Sequence, residues 1–509
     1  MLVAFFRTWP WLRQHARAAV IVAAPALCAG LALPIVASAE PWAAPGDVML
    51  RYDIEFLADS GAINIPVTTW PMSWGNIAKA LNSVPAEQLD NPAIASVVSR
   101  LEERVAVETA WGSIRGEYRV SASETQRPIR SFENTPRGNG EASVAFGYTG
   151  MRFATRLEMT AVAEGGDDQS FRFDGSYAGF ALGNTMVSVG LQDKWWGPGW
   201  ESTLGLSTSA RPVAGVMLQR NVTDPAEIKW LRWIGPWRAS VFMGNLEGDR
   251  AVPDPYLFGA RFAFRPIKSL EIGLSRTAQW GGEGRPETFD SFLDMLFGRD
   301  NAGEVDRDEE PGNQLAGYDW RWTALRGSRP LVFYGQLMGE DEAGGLPSRF
   351  LGQLGLSTTG RWGDAGAGYR LYLEFSDTTC QFHESSRIYN CAYASSLYPD
   401  GYRYRQRPIG HSTDADSRQV AFGGTFIDSR SRRYTASLRV AELNRGGSPE
   451  PENFLTPVKQ DYVALDTSHE RDFLDGVLSV GLGFQSLETP SENTSSEDVL
   501  AFINWRSHR

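Results

Sequence analysis

The chain has few long hydrophobic runs. Its one extended apolar stretch, Ala18 to Leu33, follows three arginines and precedes the small residues "ASA" just before Glu40. This order of positive charge, apolar run and small residues is that of an export signal. We therefore predict that residues 1–39 are a signal peptide. No later run approaches the roughly 20 apolar residues that a membrane-spanning helix needs, so we expect no further membrane helix.

Positive charge is also scarce. The 509 residues carry a formal net charge of −12, and removal of the three signal arginines gives −15 for the mature chain. Such an acidic protein repels nucleic acid, which we exclude as a partner. The five histidines show no metal-ligand spacing, and no nucleophile elbow, phosphate-binding loop or Cys–His arrangement occurs. The sequence thus predicts a protein that is not an enzyme and has no cofactor or metal.

Cysteine is rare, with three in the whole chain. One lies in the predicted signal, which leaves Cys380 and Cys391 in a Tyr- and Ser-rich segment that we expect to be a loop. In an oxidising compartment they would form a disulfide that closes a ring of about 12 residues and stabilises the fold by roughly 3 kcal/mol in the loop-entropy model. The alternative is a pair of free thiols.

Alternation of apolar and polar residues is abundant. From about residue 112 to the end, segments with a period of two are separated by clusters of Gly, Pro, Asp and Asn, which is typical of antiparallel strands. In one such segment the apolar face consists of Tyr434, Ala436, Leu438 and Val440, and the polar face consists of Arg433, Thr435, Ser437 and Arg439. About 400 residues of this kind are enough for roughly 16 to 18 membrane strands.

Two features favour a membrane barrel over a soluble β-sandwich, which also alternates. The polar faces are rich in Arg, Glu, Gly and Ser, as a wet, charge-paired barrel interior would be. Aromatic residues such as Trp280, Trp322 and Trp505 recur near strand ends, as in the girdles of outer-membrane barrels. A periplasmic scaffold that never enters lipid is a further alternative.

Residues 40–111 differ from the rest because their apolar residues recur at helical spacing. One helix is predicted from about Met49 to Ala58, with a stop at Gly61, and a second covers Trp74 to Leu81. A capping asparagine and a first-turn proline introduce the third helix, whose apolar stripe is Ile94, Val97, Val98, Leu101 and Val105. Three short amphipathic helices ahead of a barrel would form a compact bundle.

Four segments of the chain have a distinctive sequence: "LRYDIEFLADSGAINIPVTTWPMSW" from Leu50, "DKWWGPGWESTLGLSTSARP" from Asp193, "NQLAGYDWRW" from Asn313 and "YPDGYRYRQRPIGHSTDAD" from Tyr398. In these segments the chain resembles the Wzi-type capsule-assembly proteins of Gram-negative outer membranes. The resemblance implies an all-β transmembrane barrel of about 18 antiparallel strands over residues 112–509. It also implies a small N-terminal periplasmic α-helical bundle over residues 40–111, and a surface lectin that holds capsular polysaccharide on the cell.

The segment "DKWWGPGW" places Trp195, Trp196 and Trp200 around a Gly-Pro-Gly turn. An indole offers an apolar face to a sugar ring and an N–H donor, so these residues are candidates for polysaccharide binding. The other interpretation, which we favour, is that they lock a turn at the membrane boundary or fill the lumen. In that case Gly197 and Gly199 supply backbone conformations closed to other residues.

The segment "GYRYRQRPIGHS" is the first candidate for polysaccharide contact. Its candidate residues are Tyr402, Arg403, Tyr404, Arg405, Arg407 and His411. Arginine side chains bind carboxylates in bidentate pairs, and capsules often carry uronic acids. The alternative is an inward-facing ladder in which the arginines pair with lumen acids such as Glu374.

These features together predict a monomeric, integral outer-membrane protein. Its expected partners are capsular or related exopolysaccharide and outer-membrane lipid. The competing hypothesis is a porin for saccharides or other small solutes, because a barrel of this size is wide enough for a channel unless loops and inward arginines fill it.

Overall fold

The computed structural model describes residues 40–112, 114–167, 169–297, 312–325, 329–343, 346–362, 367–447 and 453–507. The predicted signal peptide lies outside these residues. Helices come first in the described chain, and a β-barrel follows them. Within this part of the chain, no helix is both long enough and apolar enough to cross a membrane.

Eighteen antiparallel strands close into a barrel, which confirms the predicted fold class. The strands are β1 Ile114–Ser123, β2 Gly140–Thr149, β3 Phe153–Ala163, β4 Tyr177–Leu182, β5 Thr185–Gly190, β6 Gly215–Arg220, β7 Trp237–Asn245, β8 Tyr256–Ile267, β9 Leu270–Trp280, β10 Gly312–Leu325, β11 Leu331–Ala343, β12 Leu346–Trp362, β13 Ala367–Asp377, β14 Arg418–Ile427, β15 Arg433–Leu443, β16 Gln460–Asp472, β17 Gly476–Thr489 and β18 Thr494–Ser507. A two-residue strand, Phe171–Arg172, extends the sheet beside β3. The barrel closes where β18 pairs with β1 through five residue pairs.

Side chains along each strand alternate between the outside and the lumen. In β15, Tyr434, Leu438 and Val440 are exposed on the outside, whereas Arg433 and Arg439 are buried inside. The same exposed apolar surface continues around the barrel through Phe180, Val189, Leu218, Val241, Leu274, Leu354, Leu373, Phe422, Leu465, Leu482 and Ile503. An apolar exterior of this extent is stable against acyl chains and costly in water.

The two ends of the barrel differ in their connections. Short turns join most strands at the end where β1 begins and β18 ends, which we name the turn end. The opposite end, the loop end, carries long connections that include residues 124–139, 191–214 and 378–417. Loops of this length can fold back into the barrel or cover its mouth.

In the described residues before the barrel there are four helices: α1 (Val48–Ser60), α2 (Trp74–Leu81), α3 (Ala86–Leu89) and α4 (Pro92–Glu108). The three predicted helices are all present, and α3 is an additional single turn. Gly61 ends α1 with a φ of 80°, a left-handed conformation that glycine adopts without strain. The Asn91 side chain caps α4 by accepting a hydrogen bond from the N–H of Ala93.

Helix α1 is buried on all sides and not along one stripe. Its polar residues Arg51, Asp53, Glu55 and Asp59 are at most 2% exposed. The reason is that α1 enters the barrel from the turn end, where charged side chains of the strands replace water around its polar face. The amphipathic pattern predicted the helix and one buried face, but not the insertion of the other face into the lumen.

A fifth helix, α5 (Phe289–Phe297), packs against the outside of the barrel wall. The Phe292 ring lies 5.6 Å from that of Phe258 and 5.4 Å from that of Trp280. A main-chain carbonyl of α5 accepts a hydrogen bond at 3.0 Å from Arg276, an outward-facing residue of β9. Protein atoms therefore satisfy an arginine that would otherwise face lipid.

Candidate functional site

Ion pairs hold α1 inside the barrel. Arg321 of β10 donates to both carboxylate oxygens of Asp59, at 2.5 and 2.7 Å, and approaches Glu55 at 3.4 Å. Thr323 donates a further hydrogen bond to Asp59 at 2.9 Å. All four side chains are buried, so the loss of Arg321 would leave Asp59 without its ion-pair partner in a medium of low dielectric, whereas Glu55 keeps Arg51 at 2.7 Å. Charge as well as apolar packing therefore fixes the helix.

The segment that follows α1 runs along the inner wall. The Glu271 carboxylate of β9 accepts hydrogen bonds from the N–H groups of Val67 and Thr68, both at 2.9 Å. Arg261 of β8 donates to Thr69 Oγ1 at 2.8 Å. Charged lumen side chains thus satisfy main-chain groups that have no sheet partner. Together, α1 and residues 62–73 form the plug.

Residues 193–206, which we name the tryptophan block, meet the plug in the middle of the barrel. Trp195–Trp196 pairs with Thr69–Trp70 as a two-residue antiparallel ribbon. Arg51 of α1 donates to two carbonyls of the Gly-Pro-Gly turn at 2.8 and 2.9 Å. Its guanidinium also lies 4.2 Å from the ring centroid of Trp200. The turn therefore supplies acceptors for a buried cation, and the indoles enclose it.

The structure places all three candidate tryptophans in the lumen. Trp195, Trp196 and Trp200 are 0%, 1% and 4% exposed, and Phe132 from the first long loop packs edge-on against Trp195 at 5.2 Å. None of the three indoles presents its face to solvent. Their arrangement is that of the lumen-filling interpretation.

Most of the GYRYRQRPIGHS segment is buried as well. Tyr402 and Tyr404 are 0% and 5% exposed, and Tyr402 donates to the carbonyl of Gly205 at 3.1 Å. Arg403 forms a bidentate pair with Asp414, at 2.8 and 2.9 Å. These contacts join residues 378–417 to the tryptophan block. In the same loop, Cys380 and Cys391 form a disulfide.

Glu374, the suggested partner of these arginines, has other hydrogen-bond partners. It accepts hydrogen bonds from the N–H groups of Trp200 and Glu201 at 2.6 and 3.0 Å, and from the Tyr334 hydroxyl at 2.7 Å. The strand acid thus holds the main chain of the tryptophan block in place. The ladder hypothesis is wrong in this detail, because Arg403 pairs with the loop residue Asp414 instead.

His411 is fully buried beneath the loop end. Its Nδ1 lies 2.7 Å from the Thr413 hydroxyl, and burial lowers the pKa of the imidazole to about 3. The ring is therefore neutral in the folded protein at neutral pH. Among the described residues no group of three or more His, Cys, Asp or Glu is placed to hold a metal ion. His411 thus acts as a packed, neutral side chain.

Acidification should destabilise the protein through His411. A pKa that is lower in the folded than in the unfolded chain contributes stability above pH 6.5, and this contribution is lost as the pH falls towards 3. We expect the free energy of unfolding to fall below pH 6.5 by roughly 1.4 kcal/mol per pH unit more in the unaltered chain than in His411→Gln. Urea titrations between pH 7 and 4 measure the difference, with the exposed His383→Gln as control. Parallel pH profiles would contradict the prediction.

A pocket of about 310 Å³ lies among the loops at the loop end. Six arginines from four different loops line it, and Phe454 lies beside them. We name it the arginine pocket. Its arginines are Arg130, Arg137, Arg172, Arg211, Arg405 and Arg407.

Carboxylates neutralise two of these arginines. Arg211 forms a bidentate pair with Asp174, with both bonds at 2.7 Å, and donates to Asp167 at 2.6 Å. Arg172 donates to the same Asp167 at 2.7 Å. A third, Arg137, lies 3.5 Å from an oxygen of Asp193. On this side the pocket is close to electrically balanced.

Arg130 and Arg407 bind carbonyl oxygens and not carboxylates. Each donates to two backbone carbonyls, Arg130 at 2.8 and 3.1 Å and Arg407 at 2.8 and 3.0 Å. Burial and the nearby positive charge of Arg137 lower the pKa of Arg407 to about 10. Positive charge that no carboxylate compensates attracts an anion. This side of the pocket is therefore suited to a negatively charged ligand.

A tight hairpin brings Arg405 to the pocket. Arg403–Tyr404 pairs with Arg407–Pro408, and the two residues between them, Arg405 and Gln406, have φ angles of 46° and 62°. Two successive left-handed residues are the geometry of a type I′ turn. Arg405 thus lines the pocket from the tip of a hairpin, with its guanidinium 5.4 Å from the centroid of the Tyr404 ring.

The barrel matches a known protein family. The family model of capsule assembly protein Wzi matches residues 114–498, which cover all but the last residues of the barrel. The chain belongs to the Wzi family. The match confirms the resemblance that the four sequence segments carry, and it identifies the barrel as that of an outer-membrane protein of capsule assembly.

Two relatives show how far the likeness to the Wzi family extends. A Klebsiella pneumoniae protein, known as an uncharacterized 55.8 kDa protein in the cps region, is 34% identical over 412 residues, which are 78% of this chain and 76% of that protein. The structure of Escherichia coli Wzi is 29% identical, with a TM-score of 0.79 over 92% of this chain and 99% of that chain. That protein is an outer membrane protein involved in group 1 capsule assembly and a carbohydrate-binding β-barrel.

Sequence reasoning did not single out four arginines of the pocket in this Wzi-family chain. They are Arg130, Arg137, Arg172 and Arg211. The available signal was a group of arginines among Pro, Gly and Asn in residues 127–139, which is also what a solvated loop looks like. The loops that meet in the pocket are far apart in the sequence, so the local pattern could not show that they converge.

Proposed function

We propose that the chain binds exported capsular or related polysaccharide and anchors it at the cell surface, without catalysing a reaction. The observation that carries the proposal is the arginine pocket, in which guanidinium groups at the loop end bind backbone carbonyls and leave charge for a ligand. The carbohydrate binding of Escherichia coli Wzi supports the same function. In this proposal the protein tethers the polymer and supplies no catalytic group.

The proposal includes an orientation in the outer membrane. The helices and both ends of the barrel chain lie at the turn end, so we place that end in the periplasm and the arginine pocket outside the cell. Long loops outside and short turns inside are the usual arrangement of outer-membrane barrels. Maleimide labelling of whole cells tests it: Arg387→Cys, in the loop 378–417, should react, and Lys79→Cys, on α2, should not.

The plug opposes the alternative function of a porin. Residues 62–73 and the tryptophan block fill the middle of the lumen, with Trp70, Trp195 and Trp196 each at most 1% exposed. An open porin keeps a water-filled path through its barrel. Purified protein in planar bilayers should therefore give no steady open-channel current. A stable large conductance would favour the porin function over polysaccharide anchoring.

Replacing Arg405 and Arg407 together by alanine should weaken polysaccharide retention. Both side chains line the pocket, and Arg405 lies half-buried at the tip of the hairpin. We expect at least a tenfold loss in affinity, since one lost charge-assisted contact of about 1.4 kcal/mol is already a factor of ten. Affinity chromatography on immobilised protein, with the organism's own polysaccharide, measures it. Unchanged retention with intact folding would remove these two arginines from the binding site.

A further inference from the structure

We propose that the arginine pocket holds one carboxylate-bearing sugar residue of the polymer, with Arg130, Arg137 and Arg407 as the groups that bind its carboxylate. The inference rests on the proposed function and deepens it, because it names the chemical class of the residue that is recognised. It also assigns recognition to arginines of the first long loop, 124–139, as well as to the hairpin at 403–408.

Arg130 is the best-fixed cation of the three. Its side chain is 4% exposed, and its two terminal nitrogens donate to the carbonyls of Thr135 and Pro136, at 2.8 and 3.1 Å. Its Nε, a buried donor, has no hydrogen-bond partner among the described residues. A buried donor without a partner destabilises the free protein, so a ligand oxygen that accepts from it binds with a more favourable free energy. The guanidinium is thus pre-positioned for an acceptor.

Arg407 and Arg137 are held in the same manner. Arg407 donates to the carbonyls of Arg127 and Pro128 at 2.8 and 3.0 Å. Arg137 donates to the carbonyls of Thr208 and Ser209 at 2.8 and 3.2 Å. Carbonyl dipoles fix the planes of the guanidinium groups without cancelling their charge. Three loops are therefore used to place cations whose geometry is set before the ligand arrives, which reduces the entropy lost on binding.

The charges around the three arginines leave room for one anion. Burial and the positive charges of Arg137 and Arg407 lower the pKa of Arg130 well below its usual range. The carboxylates beside these arginines are Asp167 and Asp174, which Arg211 binds, Asp193, which lies 3.5 Å from Arg137, and Glu141, which accepts a hydrogen bond from the main-chain N–H of Arg137 at 2.8 Å. They are four carboxylates against the six arginines of the pocket, so positive charge remains for an anion. A carboxylate placed among the three guanidinium groups relieves their mutual repulsion and forms bidentate bonds that suit the planar fork of arginine.

The remaining walls of the pocket suit a sugar ring. Phe454 supplies an apolar surface of the kind that packs against the C–H face of a pyranose. Gly165 and Gly166 form part of the wall, and a Cβ at Gly165 would lie 2.2 Å from Nη2 of Arg172. A larger residue there would displace that arginine and narrow the pocket. A uronic acid, which combines a ring with a carboxylate, matches both parts of the site.

Chemical reduction of the ligand tests the inference on the unaltered protein. The full chain in detergent is titrated with polysaccharide from its own organism and with the same polymer after its carboxyl groups have been reduced to primary alcohols. We expect the reduced polymer to bind at least tenfold more weakly. Equal binding of the two polymers would overturn the inference while the anchoring function stood. Binding of neither polymer would overturn the anchoring function itself.

Two variants place the effect in the pocket. Arg130→Gln should lower the affinity for the native polymer at least tenfold and abolish the preference for it over the reduced polymer. Arg387→Gln removes the same charge from an exposed arginine of residues 378–417 outside the pocket, and should change affinity less than twofold. Heat-modifiable migration on gels reports that each variant is folded. If folded Arg130→Gln kept the preference for the native over the reduced polymer, or if Arg387→Gln lost that preference equally, the pocket would not be the carboxylate-binding site.

Discussion

Replacement of Arg321 by leucine should strongly destabilise the barrel. The leucine leaves the buried carboxylate of Asp59 without the cation that binds both of its oxygens. Breaking a buried pair in this way costs about 3–5 kcal/mol. Urea unfolding of the detergent-solubilised protein measures the loss. The half-exposed Arg361→Leu, which removes hydrogen bonds from the turn end to α4, is the matched control, with an expected loss below about 1 kcal/mol.

The same variant also tests whether ion pairs keep the plug seated. Without Arg321, α1 faces the lumen with one uncompensated negative charge, that of Asp59, because Glu55 keeps its ion pair with Arg51 at 2.7 Å. We expect current fluctuations in planar bilayers that the unaltered chain does not give, because the plug leaves its position for part of the time. If the variant is as stable as the unaltered chain and gives no current fluctuations, apolar packing alone retains the plug.

Replacement of Trp196 by alanine is the second change with a large expected effect. The indole is 1% exposed and packs edge-on against Phe242 at 5.6 Å, so its removal leaves a cavity beside the plug. Truncation of a buried Trp costs about 3–5 kcal/mol. The folded yield should therefore fall, whereas polysaccharide retention per folded molecule should stay unchanged.

A surface tryptophan supplies the control for this experiment. Trp230, in the turn between β6 and β7, is 73% exposed. Its replacement by alanine should leave the folded yield nearly unchanged. The opposite pattern for Trp196→Ala, with full yield and lost retention, would mean that the tryptophan block contacts sugar directly. It would then belong to the binding site and not to the lumen filling.

The sequence predicted the barrel wall well because alternation is a local signal. The residue pattern of each strand indicates which face meets lipid and which meets the lumen, as the residues of β15 show. The helices α1, α2 and α4 were equally local, since caps such as Asn91 and Gly61 mark their ends. A wall and a set of helices follow from neighbouring residues alone.

The contents of the lumen could not be predicted in the same way. Alternation shows that Arg321 points inward, but the partner Asp59 lies 262 positions away and belongs to a helix. Any inward arginine could have paired with any inward acid at similar local cost. The choice is made by the position of the plug, which no single segment of the sequence specifies.

The proposed binding site was predicted only in part, for a related reason. Composition drew attention to residues 402–411, and two of the six candidates there, Arg405 and Arg407, line the arginine pocket. The others are buried with protein partners, among them Arg403 with Asp414. Tyr and Arg look alike in the sequence whether they bind a ligand or hold a loop, so only the folded loops distinguish the two roles.

The ribbon between Thr69–Trp70 and Trp195–Trp196 has a consequence for how the barrel is made. It joins a segment that enters through one mouth to a segment that enters through the other, and both are surrounded by eighteen strands. A finished cylinder would have to be threaded from two directions to produce this arrangement. Assembly is simpler if the wall still has a gap while the two segments meet. Formation of the five residue pairs between β18 and β1 would then be the last step of biogenesis. It would enclose the plug and the tryptophan block in the lumen permanently.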